Sequence, residues 1–404
     1  MDQTSADRTW SQGLMVDDAD GDLIQALTEL PLVDHHVHGA TTDDLPRFAL
    51  EEMLTESDRP VPEWMTVFDS QVGVAIRRWC APVLDLPTHA SAEEYVQRRL
   101  ELGGVEVTRR LLRASGIGCF LLETGFRGDD ILSPQQMHEL SDIPTKEIVR
   151  IESVMEEVAL QSPMASEFMP LVQERLTARA STAVGLKSII AYRFGFDFDP
   201  VRPDPGEVHS AVGRWLREVA ASGTARVSDP TLLRAGIWIA ADLALPLQLH
   251  TGYGDPDLDL HRCDPLLLTN WLRLVESSGM DVLLLHCYPF QRNAGYLAQV
   301  FPHVYLDVGL GVNYTGSRSP EVIAEAIELS PFAKVMFSSD AWGPAELHFL
   351  GALWWRRGMF RLLRSWVREG EWSNADAIKV AQMMGVQNAV RVYGIQGDIL
   401  TGTS

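Results

Sequence analysis

The stretch that decides the fold is Leu32-Val33-Asp34-His35-His36-Val37-His38-Gly39, an apolar run that ends in a His-x-His pair. Alternate side chains of a β-strand lie on the same face, so His36 and His38 point one way while His35 and Val37 point the other. Two imidazoles on one face at the end of a buried strand make half of a metal site. The stretch therefore predicts a metal centre at the C-terminal end of the first strand.

Further apolar runs recur along the chain, and longer segments with a helical pattern lie between most of them. The predicted strands are Leu30–Gly39, Ile117–Phe126, Glu147–Ser153, Val184–Arg193, Leu245–Thr251, Val282–Pro289, Val304–Gly309 and Val335–Asp340. Alternation of strand and helix favours a parallel sheet. Eight such units predict an α/β fold of the (β/α)8 TIM-barrel type, whose active site forms at the C-terminal strand ends.

Two segments depart from the minimal barrel. A helical insertion at about residues 40–110 follows the first strand, so it would lie at the barrel mouth, either as a lid or as a packing extension. Residues Ser373–Ile395 predict an amphipathic helix, a C-terminal extension that closes the barrel. No linker or internal repeat divides the chain, and we expect a single domain over residues 1–404.

The composition restricts the partners of the protein. The formal net charge of −21 argues against nucleic acid and anionic membrane surfaces, because both bind basic patches. No apolar run approaches the ~20 residues that span a bilayer, and the polar, acidic segment 1–22 does not have the pattern of a signal peptide. Four scattered cysteines without a CxxC pair favour reduced thiols. We expect a cytoplasmic protein.

Three later strands also end in an ionisable side chain. Strand five ends at His250, strand six at His286 and strand eight at Asp340. Each follows mainly apolar residues, where such a group is costly unless it is paired or bound to a metal. One strand-end histidine is more often structural than a ligand. Four histidines and an aspartate at one level of the barrel, counting His36 and His38, favour a metal site.

This set of side chains suits hydrolysis that depends on a divalent cation. Neutral imidazoles and a carboxylate bind a borderline cation such as Zn²⁺, with Mn²⁺ or Fe²⁺ as alternatives. The cation lowers the pKa of a bound water toward ~7. A carboxylate beside that water can accept its proton and later pass it to the leaving group.

The arrangement of these residues resembles the amidohydrolase superfamily. Finer stretches resemble its amidohydrolase-related barrels of the FluG/nodulin type: Leu186-Lys187-Ser188-Ile189-Ile190-Ala191-Tyr192-Arg193, Leu285-His286-Cys287-Tyr288-Pro289-Phe290 and Phe337-Ser338-Ser339-Asp340-Ala341. Some members of that branch carry a glutamine-synthetase-like domain after the barrel. Since the sequence ends at Ser404, we expect no such domain here.

The resemblance implies a role for each strand-end residue. His36, His38 and His250 would be metal ligands, and Asp340 would be both a ligand and the general base. His286 would be a ligand to a second metal, or it would polarise the substrate carbonyl.

Lys187 is the residue on which the number of metals depends. Binuclear members of the superfamily often use a carboxylated lysine of strand four as a bridge between two metals, and Lys187 lies in that strand. Alternatively, Lys187 pairs with a buried carboxylate such as Glu123 or Glu152. One metal per chain is favoured, with two as the alternative.

Two arginines lie near the predicted mouth. Arg150 is in strand three and Arg193 ends strand four, and either could bind a substrate carboxylate through two parallel hydrogen bonds. The alternative for Arg150 is an ion pair, for example with Glu123. Three aromatic residues just past strand ends are further candidates for substrate binding: Tyr253, Tyr288 and Trp342.

We therefore predict an enzyme that hydrolyses a C–N or related bond of a small, carboxylate-bearing molecule, with Asp340 and His286 as catalytic residues. A metal-dependent decarboxylase or isomerase of a carboxylate substrate would use the same ligands. A non-catalytic binding barrel is the alternative from a different class. Family barrels often form homo-oligomers, and Leu353-Trp354-Trp355 would either serve such a contact or pack on the barrel.

Overall fold

The computed structural model describes residues 9–14 and 17–396. Within this part of the chain, seven parallel strands form one sheet in which neighbours in space are also neighbours in sequence. The strands are β1 (Leu32–Val37), β2 (Ile117–Glu123), β3 (Thr145–Arg150), β4 (Gly185–Ser188), β5 (Leu247–Thr251), β6 (Val282–His286) and β7 (Val304–Leu306). Helices follow the strands, as a parallel sheet requires. The predicted α/β barrel fold is confirmed.

The sheet is closed by residues 335–343, which we call the closing segment. On one side, the Met336 amide of this segment donates to the carbonyl of Leu306 (3.1 Å), the last residue of β7. On the other side, the Asp340 amide donates to the carbonyl of His36 (3.1 Å) in β1. The predicted eighth strand thus lies between β7 and β1, but only isolated bridges form there and not a regular ladder.

One or more helices lie between each pair of successive strands, and the chain supplies several of them with an N-cap. They are α1 (Gly21–Glu29), α2 (Arg47–Glu52), α3 (Gln71–Ala75), α4 (Ala92–Leu102), α5 (Gly104–Ala114), α6 (Pro134–Ser141), α7 (Ile151–Ala159), α8 (Ala165–Ala180), α9 (Ile190–Arg193), α10 (Pro205–Ser222), α11 (Pro230–Leu243), α12 (Thr269–Val275), α13 (Gln291–Val300), α14 (Gly309–Thr315), α15 (Ser319–Ile327), α16 (Ala345–Arg368), α17 (Asn374–Gln382) and α18 (Asn388–Tyr393). Capping boxes start α4 at Ser91, α6 at Ser133 and α10 at Asp204.

Six predicted strands, the first to the fourth, the sixth and the seventh, extend past the observed C-terminal ends, and the third and fourth show the reason. β3 ends at Arg150 and the next residue starts α7, whereas the prediction continued to Ser153. β4 ends at Ser188 and is followed by the short helix α9, whereas the prediction continued to Arg193. A short apolar run that passes directly from a strand into a helix has no periodicity that marks the boundary.

Residues 40–110 lie between β1 and β2 and contain α2 to α4 and the first part of α5. Glu51 holds the first part of this insertion together, because its carboxylate accepts from the Thr66 hydroxyl (2.9 Å) and the Val67 amide (2.6 Å). The last part is tied to α16 through Glu346, which is fully buried. Its carboxylate accepts from Arg99 Nε (2.8 Å) and from the Tyr95 hydroxyl (2.8 Å).

The long helix α16 is buried over most of its length. Trp354 and Trp355 are among its buried side chains, and the ring of Trp355 packs on that of Phe337 at 5.5 Å between centroids. The Leu353-Trp354-Trp355 segment therefore packs inside the chain. After it, α17, a π-helical turn at Met383–Gln387 and α18 occupy the predicted C-terminal extension. Among the helices of the described residues, none has the length and apolarity to cross a membrane.

Candidate metal centre

Three side chains from the two ends of the chain converge at the C-terminal edge of the sheet. His36 and His38 come from the end of β1, and Asp340 comes from the closing segment. The Nε2 atoms of His36 and His38 lie 3.0 and 3.5 Å from Asp340 Oδ1. One potential ligand atom from each residue lies within 4.8 Å of the others, so these three residues could hold a metal ion.

The backbone is strained where two of the strand-end residues point into this site. Asp340 has a φ of 50°, and His286 and Cys287 have φ values of 67° and 51°. Residues other than glycine rarely adopt this left-handed region, which costs about 1–3 kcal/mol each. Such strain is typical of functional sites, where the surrounding structure holds a side chain in a required direction.

Gln248 sets the tautomer of His36. Its side-chain nitrogen donates to the carbonyl of His35 (2.7 Å) and to the Tyr393 hydroxyl (2.8 Å), which leaves its oxygen to face His36 Nδ1 at 2.8 Å. An amide oxygen can only accept, so Nδ1 carries the proton and Nε2 keeps its lone pair. Burial and the nearby Lys187 lower the pKa of His36 to about 3, so the imidazole is neutral.

His38 is oriented in a similar way by a carboxylate. Its Nδ1 lies 3.1 Å from Glu123 Oε2, an arrangement that orients metal-bound histidines in many proteins. Glu123 is itself held by two hydrogen bonds from Arg150, at 2.9 and 2.7 Å. Burial opposes a charge on His38, but Asp340 and Glu123 outweigh it and raise the pKa of His38.

His250 and His286 complete the imidazole cluster. Their ring centroids are 4.7 Å apart, and the ring of His286 lies 5.2 Å from that of His36. The Nε2 atoms of His250 and His286 are buried and make no hydrogen bond within the described part of the chain. Burial lowers the pKa of His286 to about 4. Neutral, buried nitrogens without hydrogen bonds fit a divalent cation, whose ligands must be deprotonated.

Lys187 lies next to this cluster, on β4. Its Nζ is 3.3 Å from His36 Nε2. Among the described residues, no carboxylate lies within salt-bridge distance of it: Glu123 pairs with Arg150, and Glu152 accepts from the Ser188 hydroxyl. Burial lowers the pKa of Lys187 to about 8. The alternative in which Lys187 pairs with Glu123 or Glu152 is therefore wrong for this structure.

A cavity of about 250 Å³ opens above the cluster. It is lined by His36, His38, Glu56, Phe126, Arg150, Lys187, Ile189, Tyr192, Arg193, Arg226, His250, Asp255, Asp257, His286, Leu310, Asp340 and Trp342. All the predicted metal ligands line it, as do both predicted arginines and Trp342. Their roles as ligands, catalytic groups or substrate contacts stay predictions.

The two arginines differ in how many of their side-chain donors are already used in hydrogen bonds. Arg150 directs Nε and Nη2 at Glu123, which is the ion pair that the sequence left open. Arg193 lies on α9 and not on β4, so the prediction that it ends strand four is wrong. Its Nη2 is 3.1 Å from Glu156, while its buried Nε and Nη1 make no hydrogen bond in the described residues.

Tyr253 and Tyr288 lie outside the lining of this cavity. Tyr253 lines a neighbouring cavity of about 650 Å³, together with Tyr314 and residues of the insertion between Arg47 and Ser70. Tyr288 is half-buried, and its ring centroid lies 6.5 Å from that of Tyr253. Both tyrosines lie in loops, after β5 and β6, that extend beyond the metal ligands. A position just past a strand end was therefore not sufficient to predict that they line this cavity.

Sequence reasoning missed three residues of this site. Gln248 precedes His250 by two positions in a strand, so the face shared with that histidine could have revealed it. Asp307 directly follows β7, as His286 ends β6. It accepts from the His286 amide (2.9 Å) and the Ser338 hydroxyl (2.8 Å). Glu56 lies in a polar loop of the insertion, where no pattern marked it.

The chain is similar in sequence to known proteins. A family model of amidohydrolases matches residues 150–395. Protein fluG of Emericella nidulans is 28% identical over 302 residues, which are 71% of this chain but 32% of that protein. The chain thus spans about a third of the length of this relative.

Solved structures show the same fold. A candidate metal-dependent hydrolase from Lactobacillus casei ATCC 334 superposes with a TM-score of 0.79 at 28% identity, covering 91% of this chain and 96% of its own. A uronate isomerase from Bacillus halodurans C-125 has a TM-score of 0.60 at 14% identity, covering 96% and 99%. At that identity, the second likeness concerns the fold alone.

Proposed function

This chain belongs to the amidohydrolase family. From this premise we propose that it is a metal-dependent hydrolase that cleaves an amide-like C–N bond in a small, carboxylate-bearing molecule. The observation that carries the proposal is the convergence of His36, His38 and Asp340 within 4.8 Å, with Nε2 of His36 kept free by Gln248. These residues would hold a divalent cation, for which we propose Zn²⁺ ahead of Mn²⁺ or Fe²⁺, and such a cation would supply polarisation of a carbonyl and activation of a water.

Asp340 is the residue that we assign to proton transfer. Burial opposes its charge, but His286, His36 and His38 outweigh this and hold the pKa of Asp340 well below its ordinary value. The carboxylate is therefore charged in the resting enzyme and can accept the proton of the attacking water at an oxygen atom. The same proton then passes to the nitrogen of the leaving amine.

His286 is the second catalytic group in this proposal. Its Nδ1 lies 3.4 Å from Asp340 Oδ2, so the imidazole lies beside the carboxylate that transfers the proton. Its Nε2 makes no hydrogen bond in the described residues and lines the cavity, where it can face the substrate carbonyl. His250 is the further candidate ligand.

We favour one cation per chain. A second would use Lys187, whose Nζ lies 3.3 Å from His36, together with His286. For that role the lysine must react with carbon dioxide, and a deprotonated amine is the reactive form. Metal content separates the two cases, since about one or about two ions per chain would be found.

Arg193 is the proposed site for the substrate carboxylate. It keeps buried Nε and Nη1 donors without a hydrogen-bond partner in the described residues, whereas Arg150 is occupied by Glu123. Buried polar groups are normally hydrogen-bonded, so these donors favour an anionic ligand.

We also propose that the chain is one domain in which the insertion at 40–110 covers the barrel mouth. Glu56 supports this, because it comes from the insertion and lines the cavity of the metal centre. Tyr253, from the loop after β5, and Tyr314, from α14 after β7, share the neighbouring cavity with the insertion. Such a cover would exclude bulk water from the reacting groups.

The reaction class is tested by turnover in ¹⁸O-labelled water with zinc-loaded protein. The panel comprises N-acetylated amino acids, dipeptides, aromatic carboxylic acids and uronates. Hydrolysis places one ¹⁸O in the released carboxylate at each turnover. A decarboxylase or isomerase would instead turn over the acids or the uronates without taking oxygen from water, and this result would overturn the proposal. Binding of the panel without any turnover would favour a non-catalytic barrel.

A further inference from the structure

The cavity contains a cationic side chain with unused hydrogen-bonding capacity. Arg193 has a side-chain exposure of 8%, and its one ion pair among the described residues is with Glu156 through Nη2. Its Nε and Nη1 are buried without a hydrogen bond in that part of the chain. A buried guanidinium in this state is costly unless a ligand anion completes its hydrogen bonds.

The same cavity contains an acidic side chain without a cationic partner. Glu56 is half-buried and lines the cavity, and no Lys or Arg of the described residues lies within salt-bridge distance of it. Burial, with the charges of Asp340 and Asp255, raises the pKa of Glu56 to about 7. These acidic neighbours make the charged form unfavourable in the free enzyme, and a cationic group of a ligand would relieve the repulsion.

These two groups come from separate parts of the barrel mouth. Arg193 follows β4, while Glu56 belongs to the insertion after β1 and lies beside Tyr314, which follows β7. Both side chains line the cavity of the metal centre. A ligand that contacts both groups must therefore bridge this cavity.

We propose that the substrate is zwitterionic, with a carboxylate that binds Arg193 and an ammonium group that binds Glu56, so that the scissile bond lies between two charged ends. This inference rests on the proposed hydrolysis and names the substrate class for the same site. An amide with a free amino group on the acyl side and a free carboxylate on the amine side, such as a dipeptide, has this charge pattern. Water would add its oxygen to the acyl carbon as the amine leaves with a proton.

The size of the cavity agrees with a substrate of this kind. A volume of about 250 Å³ lies near the lower end of the range of small-molecule sites, which is about 300–1,000 Å³. This space suits a small metabolite.

The test uses zwitterions that cannot be hydrolysed, so that binding is measured without turnover. Zinc-loaded protein is titrated calorimetrically at pH 8 with 5-aminovalerate and 6-aminohexanoate, and with hexanoate and hexylamine, which each lack one charge. We expect at least one zwitterion to bind tenfold or more tightly than either singly charged analogue. Glu56→Gln should reduce its affinity to that of hexanoate, and Arg193→Gln should reduce it to that of hexylamine.

Two exposed charges outside the cavity provide matched controls. Glu101→Gln and Arg318→Gln make the same changes of charge and should leave all four affinities unchanged. The proposal is overturned if the singly charged analogues bind as tightly as the zwitterions. It is also overturned if either cavity variant weakens all ligands equally.

This experiment separates the inference from the proposed reaction. Preferential binding of the zwitterions without hydrolysis of any amide would support the substrate class and reject hydrolysis. Hydrolysis of amides without preference for zwitterions would support hydrolysis and reject the substrate class.

Discussion

At the scale of single residues, the metal centre depends on hydrogen bonds that fix which nitrogen of each histidine is free. Gln248 holds the proton on His36 Nδ1, and Glu123 faces His38 Nδ1. In both cases Nε2 is directed at Asp340. The residues behind the ligands therefore decide whether the ligands can bind a cation.

Asp340→Asn should abolish proton transfer while leaving the imidazole ligands in place. We expect kcat for the identified substrate to fall by about 10²- to 10⁴-fold, because an amide cannot accept and return the proton. The measurement is steady-state turnover together with metal content. Unchanged turnover in a variant that still contains metal would rule out this role for Asp340.

Gln248→Leu should weaken metal binding without removing a ligand. His36 loses the acceptor that fixes its tautomer, and we expect metal affinity to fall by about 10- to 100-fold. Competition with a chromogenic chelator measures this affinity. The matched control is Tyr393→Phe, which removes one hydrogen bond of Gln248 and one of His35. The bond from Gln248 to the carbonyl of His35 stays and still directs the amide oxygen at His36. Equal affinity in wild type and Gln248→Leu would contradict the prediction.

At the scale of elements, the insertion is fastened to the barrel by one buried ion pair. Arg99 of α4 contacts Glu346 of α16 at 2.8 Å, and both side chains are almost completely buried. A buried ion pair adds little stability compared with a well-packed apolar pair of similar volume. Removal of one partner is nevertheless costly, because it leaves an uncompensated buried charge.

Arg99→Met should therefore destabilise the protein by about 3–5 kcal/mol. The double variant Arg99→Met with Glu346→Gln removes the unpaired charge and keeps an acceptor for Tyr95, so it should recover most of the loss. Urea denaturation of both variants measures the free energies of unfolding. A double variant less stable than Arg99→Met would argue against this explanation.

The same pair predicts a dependence on pH. Burial opposes the charge of Glu346, but Arg99 outweighs it and lowers the pKa of Glu346 below its ordinary value of 4.5. A lowered folded pKa adds stability that is complete above the unfolded pKa and is lost as the pH falls. The difference in unfolding free energy between wild type and Arg99→Met should therefore shrink from pH 7 to pH 4. A constant difference would reject the linkage.

At the scale of the whole molecule, the metal centre lies where the barrel closes. His36 and His38 belong to β1, and Asp340 belongs to the closing segment, which has isolated bridges instead of a regular ladder. A cation bound to all three joins the first strand to the last part of the barrel.

Removal of metal should consequently lower the stability of the whole fold. At a free cation concentration of about 1,000 times Kd, binding to the native state adds about 4 kcal/mol. Thermal unfolding with zinc and after chelator treatment measures the effect, and plasma mass spectrometry gives the metal content. The His36→Ala/His38→Ala variant should show the same Tm under both conditions. A chelator-insensitive wild type would contradict a cation at this position.

The sequence by itself determined the features that depend on local pattern. Short apolar runs alternating with helices predict the barrel, and ionisable residues at strand ends predict the cluster that the structure brings together. Strand geometry makes this possible, because every parallel strand ends at the same edge of the sheet and alternate residues share a face.

Only the tertiary structure decided which residues meet across long separations in the chain. Lys187 lies beside His36 and not in an ion pair with Glu123 or Glu152, Arg150 is occupied by Glu123, and Glu56 enters the cavity from the insertion. Closure of the sheet into a ring sets these contacts. The spacing of residues along one strand carries no information about the partner that a distant loop or strand presents.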